Sequence, residues 1–297
     1  SNTNDFTENT IFNSITISGS GYTLSGNPII LGPGLAGLTG TVMKPLQLTS
    51  LTSLLPATDL LSADVLNYYR GDRSNEGYQY DTNTQGLRTR STPLGDFINS
   101  KPVFVGAPNA TYSDAAYSTF KTANANRTPV LYAADNNGFL HGFNANTGVE
   151  LFSVTPKLAY YKLAAMAQPG YTHTYSIDGT PRAGDAYFNN QWNTILVTPM
   201  GAGGQGLFSI NITNPSNITE ANAATLTGNG FWQFDDSNDK DLGNAYSETS
   251  ITRINNTTSA QKWAVIFGNG YNNTKADTYK STTGNAVLYV LNAQDGS

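Results

Sequence analysis

Cysteine is absent from the 297 residues, and charged residues make up only 12% of them. Without cysteine the chain has neither a disulfide framework nor thiol chemistry. The charged fraction is about half of the roughly 25% found in typical soluble proteins. With 16 Lys+Arg against 21 Asp+Glu, the chain has little from which to build a basic face. We therefore expect no binding to nucleic acid or to anionic membrane surfaces.

Long apolar runs are also missing, so we expect no insertion into a membrane. Residues 1–5 do not resemble a signal peptide and are typical of the start of a fragment. Aromatic residues are plentiful, with 17 Tyr and 13 Phe, and the net charge is only -5. Such a chain has enough apolar material for a packed core and is not expected to be disordered.

The first 94 residues form two stretches of different character. Residues 1–45 are β-rich, with short apolar runs separated by Gly and Asn. They indicate a hairpin stack, a rung of a β-solenoid, or an edge segment that leads into the main domain. Residues 46–94 form a lead-in of helix and loop. Leucines recur there at helical spacing up to Leu66, with a break at Pro56 and a possible cap at Asp59 or Ser62.

Residues 95–297 repeat one β pattern three times, and we interpret this part as wholly β. Each unit has two strands, a hairpin turn, a third strand and a turn that contains Asn144, Asn211 or Asn292. These Asn side chains are expected to bond their own backbone and fix the turn. The Asn-Asn-Gly run at 136–138 is expected to supply the positive φ angles of a tight hairpin.

A multi-strand repeat of this length is typical of propeller blades, because one blade buries its faces only against neighbouring blades. We therefore predict an all-β, modified β-propeller over residues 95–297. A short helical segment and a β-rich N-terminal segment precede it. A closed propeller needs more blades than three, so we expect a truncated, partial one.

The ordered motifs resemble those of the PilC/PilY family of type IV pilus tip proteins. The similar stretches are residues 66–77, 88–90, 94–96, 98–106, 129–148, 178–181, 184–186, 201–206, 241–243, 263–271 and 286–290. The resemblance implies a tip-associated adhesin that also acts in pilus assembly, retraction and twitching motility. It implies an extracellular, outer-membrane-associated location and binding to minor pilins and to host or abiotic surfaces. No counterpart of the family's calcium loop is found in this chain.

The tripeptide Arg70-Gly71-Asp72 is the sharpest short motif. The resemblance implies integrin binding, with the Arg reaching one subunit and the Asp completing the coordination of its metal. In the alternative, Arg70 and Asp72 lie at the end of the predicted helix and pair with Glu76 or Arg73. Of the two, we expect the structural role.

A possible Ca²⁺ site is the acidic run in which Asp235, Ser237, Asp239 and Asp241 alternate. Their oxygens suit a hard cation. However, Lys240 lies inside the loop, and neither Gly nor a bidentate Glu stands at the EF-hand positions. A solvated acidic loop is the favoured alternative, so a calcium cofactor is possible but not expected.

Two further features are interpreted as structural. His141 is expected to be a hydrogen-bonded histidine of a blade strand, and a chemical role would need a carboxylate such as Asp178 or Asp185 beside it. The Gly-rich run at 201–206 lacks the Lys and the following helix of a phosphate-binding loop, so we predict a hairpin turn.

Three functions remain, and the first is favoured: a pilus-tip adhesin and assembly factor without enzymatic activity. The second is a quinoprotein-dehydrogenase-like enzyme, because such enzymes share the blade motif. It is disfavoured because Trp192, Trp232 and Trp263 are spread across the blades and no adjacent Cys pair exists. The third is a periplasmic scaffold propeller.

Overall fold

The computed structural model describes residues 63–79, 84–219, 222, 229–255 and 262–297, with the backbone of five short strands nearer the N-terminus. Among these, β1 (Asn2–Asn4) pairs with β3 (Leu24–Gly26), and β2 (Thr10–Phe12) pairs with β4 (Ile29–Leu31). Both pairs are parallel, whereas the strands of a hairpin pair antiparallel. The domain boundary at 45 stays a prediction. The helical candidates at 51–61 and the two possible caps lie outside the described residues.

The predicted short helix before the first blade is confirmed as α1 (Ala63–Tyr69). Val65, Tyr68 and Tyr69 are buried because their spacing puts them on one face of the helix. A small hairpin follows, formed by β6 (Tyr78–Gln79) and β7 (Thr84–Gln85). The lead-in is tied to a later part of the chain: the Tyr69 hydroxyl donates to the Leu163 carbonyl at 2.8 Å.

The first blade is an antiparallel sheet of four strands in chain order. They are β8 (Val103–Val105), β9 (Val130–Ala134), β10 (Leu140–Asn144) and β11 (Glu150–Val154). A fifth strand, β5 (Pro45–Leu46), joins the outer edge of β11 in parallel. The sequence pattern predicted the first three strands and missed β11.

The second blade has the same four-stranded plan, and the third shows three strands. Blade 2 consists of β12 (Arg182–Phe188), β13 (Gln191–Pro199), β14 (Gly206–Asn211) and β15 (Trp232–Asp235). Blade 3 consists of β16 (Ser250–Arg253), β17 (Trp263–Gly268) and β18 (Leu288–Asn292). The three blades formed by the described residues do not close into a ring, which confirms the prediction of a partial propeller.

Each blade buries its neighbour's side chains, which is the physical reason for the radial stack. The central strand β13 shows this best, because its alternate residues face opposite ways. Leu196 packs into the cluster shared with blade 1, whereas Ile195 and Val197 pack into the cluster shared with blade 3. The first strands of successive blades lie side by side at the inner edge. Gly184 permits this approach, since a Cβ there would lie 2.9 Å from the Cβ of Ile251.

The prediction that residues 95–297 are wholly β is wrong, because two helices lie between the strands. The first is α2 (Ala115–Ala123), and the second is α3 (Lys157–Met166). Asp114 caps α2 by accepting from the Ala116 N–H at 2.8 Å. Buried residues at helical spacing, Leu163 and Met166 among them, mark α3. The sequence carries a signal for each helix: an Asp before two alanines for α2, and Ala, Tyr and Leu at helical spacing for α3. The strand pattern of the surrounding residues concealed these signals.

The turn predictions have two outcomes. The self-bonding turns at Asn144, Asn211 and Asn292 are confirmed, because each side-chain oxygen accepts the N–H two residues on, at 2.9, 3.0 and 3.0 Å. The prediction for residues 136–138 is wrong for its two asparagines, since only Gly138 has positive φ there. The two-residue turn with positive φ at both positions is instead Asn189-Asn190, between β12 and β13, with φ of 52° and 59°.

Candidate binding surfaces

The Arg-Gly-Asp tripeptide forms the C-terminal cap of α1. The N–H of Gly71 bonds to the carbonyl of Tyr68 at 3.0 Å, and that of Asp72 to the carbonyl of Asn67 at 2.9 Å. This pair of bonds is a Schellman motif, which requires a left-handed residue where Gly71 has φ of 98°. The motif therefore has a structural reason to be present at this position.

Asp72 is exposed and is held in a local turn. One carboxylate oxygen accepts from the Ser74 N–H at 2.8 Å, and the backbone carbonyl accepts from Arg90 at 3.2 Å. The bond from Ser74 holds the pKa of the Asp72 carboxyl below its usual value. The tripeptide thus combines a fixed backbone with a carboxylate at the surface. Integrin binding, which the family resemblance implies, stays a hypothesis, and the expected structural role of Asp72 stays a prediction.

Glu76 lies beside this turn and is bound by two arginines, Arg90 and Arg73. Arg90 is 5% exposed; it donates to Glu76 at 2.7 Å and stacks over the ring of Tyr68 at 3.5 Å. Burial opposes the charge on Glu76, but hydrogen bonds from Arg90 hold its pKa below the usual value. Arg73 reaches the same carboxylate at 3.1 Å. The predicted partner Glu76 is therefore engaged by Arg90 and Arg73.

The acidic loop uses its side-chain oxygens on nearby donors. Asp235 accepts from the Ser237 N–H, and Asp239 accepts from the Asp241 N–H, each at 2.9 Å. Asp241 accepts from the hydroxyls of Ser281 and, at 2.7 Å, Thr283. Within the described ranges, no group of three or more His, Cys, Asp and Glu side chains is placed to hold a metal ion. Calcium binding at this loop stays a prediction without a contact that supports it.

His141 is fully buried between two carboxylates, and neither is one proposed from the sequence. Its Nδ1 lies 2.7 Å from a Glu150 oxygen, and its Nε2 lies 3.2 Å from an Asp135 oxygen. Burial alone would lower the pKa of His141, but the two negative charges outweigh it and raise the pKa to about 9. The ring is therefore an imidazolium at neutral pH and a structural ion pair, in keeping with the structural interpretation.

The two carboxylates proposed for His141 bind elsewhere. Asp178 accepts from the backbone and side-chain N–H groups of Asn99 at 3.2 and 2.7 Å. Asp185 lines a cleft of about 830 Å³ between the inner strands of the blades. It accepts from the Tyr117 and Thr194 hydroxyls, both at 2.6 Å. Arg127 completes the link by donating to Thr194 at 2.7 Å. These contacts join blade 1 to blade 2 and leave the carboxylate satisfied.

The tryptophans come from different strands, yet two of them meet. The rings of Trp192 and Trp263 lie 5.1 Å apart, and Tyr112 stacks on Trp192 at 5.0 Å. Trp232 donates from its indole N–H to the Ala293 carbonyl at 3.1 Å. The Gly-rich run at 201–206 is confirmed as the connection between β13 and β14. The ring contacts of the tryptophans thus pack the blades together.

Comparison with known proteins gives a consistent family. The model of the PilY1 β-propeller domain matches residues 94–297. A type IV pilus biogenesis factor PilY1 homolog of Xylella fastidiosa is 40% identical over 247 residues, which are 79% of this chain and 18% of that protein. Type IV pilus biogenesis factor PilY1 of Pseudomonas aeruginosa strain UCBPP-PA14 is 37% identical over 199 residues, which are 64% of this chain and 16% of that protein.

Among solved structures, the crystal structure of the Pseudomonas aeruginosa PilY1 C-terminal domain is similar. Its TM-score is 0.49 and its sequence is 30% identical, over 65% of this chain and 35% of that one. The chain spans less than a fifth of the length of the curated relatives it matches. In the part of the chain that the structure describes, no helix has both the length and the apolar character needed to cross a membrane.

Proposed function

Because the chain belongs to the PilY1 β-propeller family, we propose that it is part of a type IV pilus biogenesis factor that acts by binding. The match over residues 94–297 carries this proposal, since it spans all three blades of the structure. The carboxylates of Asp178 and Asp185 and the rings of Trp192 and Trp263 support a binding role, because they are engaged in hydrogen bonds or packing between blades. Loops at the rims of the blades offer the surfaces for partners.

We further propose that this protein is a pilus-tip adhesin that also acts in pilus assembly and retraction. It binds minor pilins on one side and a host or abiotic surface on the other. It is extracellular and associated with the outer membrane. The low charge of the chain supports contact with neutral polar surfaces more than with nucleic acid.

A deletion in the source bacterium tests the pilus role. We expect removal of residues 95–297 from the gene to reduce the amount of surface pili and to abolish twitching, and the unaltered gene to restore both. The Tyr161→Ser variant, which changes one exposed residue of α3, is the matched control. Normal piliation and twitching without the propeller would overturn the proposal.

Location separates the adhesin from a periplasmic scaffold. We expect antibodies against the propeller to label intact cells and the ends of sheared pili, and minor pilins to co-purify. Labelling only after the outer membrane is permeabilised would favour the scaffold. The absorbance spectrum of the purified chain tests the enzymatic alternative, because a bound quinone would add a band that apoprotein lacks.

A further inference from the structure

A second cleft, of about 570 Å³, lies between α2 and the rim of blade 2. One wall is a single face of α2, formed by Ala116, Thr119, Phe120 and Ala123. The opposite wall is the end of β12, the Asn189-Asn190 turn and the start of β13. The volume falls within the range of roughly 300–1,000 Å³ that small-molecule sites occupy.

The described lining of this cleft is uncharged and rich in amides. None of the fifteen described lining residues carries a charge, and eight of them have side-chain amides. The amides are Asn124, Asn190, Gln191, Asn193, Asn211, Asn214, Asn217 and Asn229. An amide offers both donors and an acceptor, so it matches a hydroxyl group, which also has both. A charged ligand finds no counter-charge in this lining.

The amides at the base of the cleft are ordered by one another. Asn193 is 1% exposed, and its side-chain oxygen accepts from Asn211 at 3.0 Å and from Gln191 at 3.3 Å. Asn211 also donates to the Asn229 carbonyl at 3.1 Å. This network fixes the base, while Asn190 and Asn217 are exposed at the rim. Fixed polar groups lower the cost of ordering when a ligand binds.

An aromatic surface lies beside these amides. The Tyr187 side chain is 37% exposed, and its ring meets that of Trp192 edge to face at 5.7 Å. The face of such a ring carries partial negative charge and attracts the weakly positive C–H groups of a sugar ring. Flat aromatic surface and uncharged hydrogen-bonding groups together are what a neutral saccharide requires.

We propose that this cleft binds a neutral carbohydrate, with Tyr187 packing against a sugar ring and the rim amides bonding its hydroxyls. An extended peptide fits less well, because peptides add to free strand edges and β13 is already paired on both sides. The inference deepens the adhesive part of the proposed function and depends on it only for biological setting. Sugar binding is measured without pili, so either can fail alone.

The test uses the purified 297-residue chain and a fixed panel of probes. Lactose, N-acetyllactosamine, mannobiose and cellobiose are the neutral sugars, and 3′-sialyllactose and a heparin tetrasaccharide are the acidic ones. We expect at least one neutral sugar to bind with a Kd of about 1 mM or below. Tyr187→Ser and Asn217→Ala should each weaken binding by about tenfold. Tyr161→Ser, an exposed tyrosine on α3, should bind as the unaltered chain does.

Melting temperatures of all variants keep the result interpretable. Asn217→Ala changes an exposed side chain, so it reports on binding even where Tyr187→Ser disturbs packing on Trp192. Failure of every neutral sugar to bind, stronger binding of the acidic sugars, or undiminished binding by both variants would each overturn the proposal. Binding of a neutral Gly-Ser-Asn peptide in preference to the sugars would do the same.

Discussion

At the scale of single residues, the Arg-Gly-Asp turn separates a structural role from a recognition role. Asp72→Ala removes the acceptor of the Ser74 N–H, and we expect a lower melting temperature. Asp72→Asn keeps an acceptor oxygen and removes the charge, so it should melt close to the unaltered chain. Thermal unfolding of the two variants is the measurement. Equal melting temperatures of both variants and the unaltered chain would contradict a structural role for the Asp72 side chain in this turn.

The same variants bear on integrin binding, for which our expectation is no specific affinity. Metal coordination in an integrin needs the carboxylate. If the chain did bind an integrin, Asp72→Asn would abolish binding and leave the turn intact. Asp72→Glu would show whether the integrin site tolerates one more methylene. Tight, divalent-dependent binding that both substitutions abolish at constant melting temperature would establish the recognition role.

His141 makes stability depend on pH in one direction. Its pKa in the folded chain is about 9, above the value of roughly 6.5 in an unfolded chain. The charged ring therefore contributes stability that is complete below about pH 6.5 and is lost as pH rises through about 9. One proton gives a slope of at most about 1.4 kcal/mol per pH unit. Denaturant unfolding across this range measures it.

The matched comparison uses both histidines. His141→Gln should lower stability and remove the slope. His173→Gln is the control, because it changes a histidine at the surface and leaves the contacts of His141 with Asp135 and Glu150 in place. A pH slope that survives His141→Gln would show that another group titrates.

Asn144 tests the turn that closes the third strand of a blade. Asn144→Leu removes the acceptor of the Asn146 N–H, and the loss of such a hydrogen bond costs about 0.5–1.5 kcal/mol. Asn146→Ala changes an exposed neighbour and is the control. An unchanged midpoint of unfolding for Asn144→Leu would show that the side chain does not hold this turn.

These contacts also show which interactions can be predicted from the sequence. Asn144, Asn211 and Asn292 were predicted correctly because an Asn turn is made within a few residues of sequence. The carboxylates beside His141 were not, because Asp135 and Glu150 reach it through the pairing of β9, β10 and β11. Contacts set by sheet register are not visible from residue type alone.

At the scale of elements, the pairing of β10 with β11 depends on a glycine, which leaves room for an aromatic ring of the facing strand. Gly142 lies opposite Phe152, and a Cβ at Gly142 would come within 2.7 Å of the ring. Gly142→Ala should destabilise the chain by about 1–3 kcal/mol through overpacking. Phe152→Leu should relieve part of that loss, so the two changes should be non-additive by about 0.5 kcal/mol or more. Additive changes in unfolding free energy would contradict the contact.

Elements differed in how far the sequence predicted them. The central strand β13 was predicted because both faces are buried and its apolar run is continuous. The outer strands β11 and β15 were missed, since only part of each is buried and that burial depends on neighbouring elements. The helix α2 was missed because only Tyr117 and Phe120 are buried, so the apolar periodicity is weak.

At the scale of the whole molecule, the stack of blades leaves an apolar face on β18. Leu288 is 69% exposed and Val290 is 47% exposed, whereas the alternating Tyr289 and Leu291 are buried. A blade face of this kind is covered by the next blade in a closed ring. We expect the purified chain to self-associate as its concentration rises, because the face stays in water.

Sedimentation velocity over a range of concentrations measures this association. Leu288→Lys combined with Val290→Thr should keep the chain monomeric. Val149→Lys, which changes a valine in a turn of blade 1, is the control and should associate as the unaltered chain does. A monomer at every concentration without substitution would contradict the prediction.

The bond from Tyr69 to Leu163 has a consequence for the order of folding during synthesis. Arg88 similarly donates to the Met166 carbonyl at 3.1 Å, so the lead-in docks on the segment that follows blade 1. On the ribosome, α1 must therefore wait until α3 has emerged before it can bury its tyrosines. Blade 2 needs only residues 182–235 for its own strand pairs. Each strand of blade 2 pairs with its neighbour in sequence, whereas Tyr69 bonds a residue 94 positions further along the chain. We therefore expect the N-terminal lead-in to be among the parts that fold late.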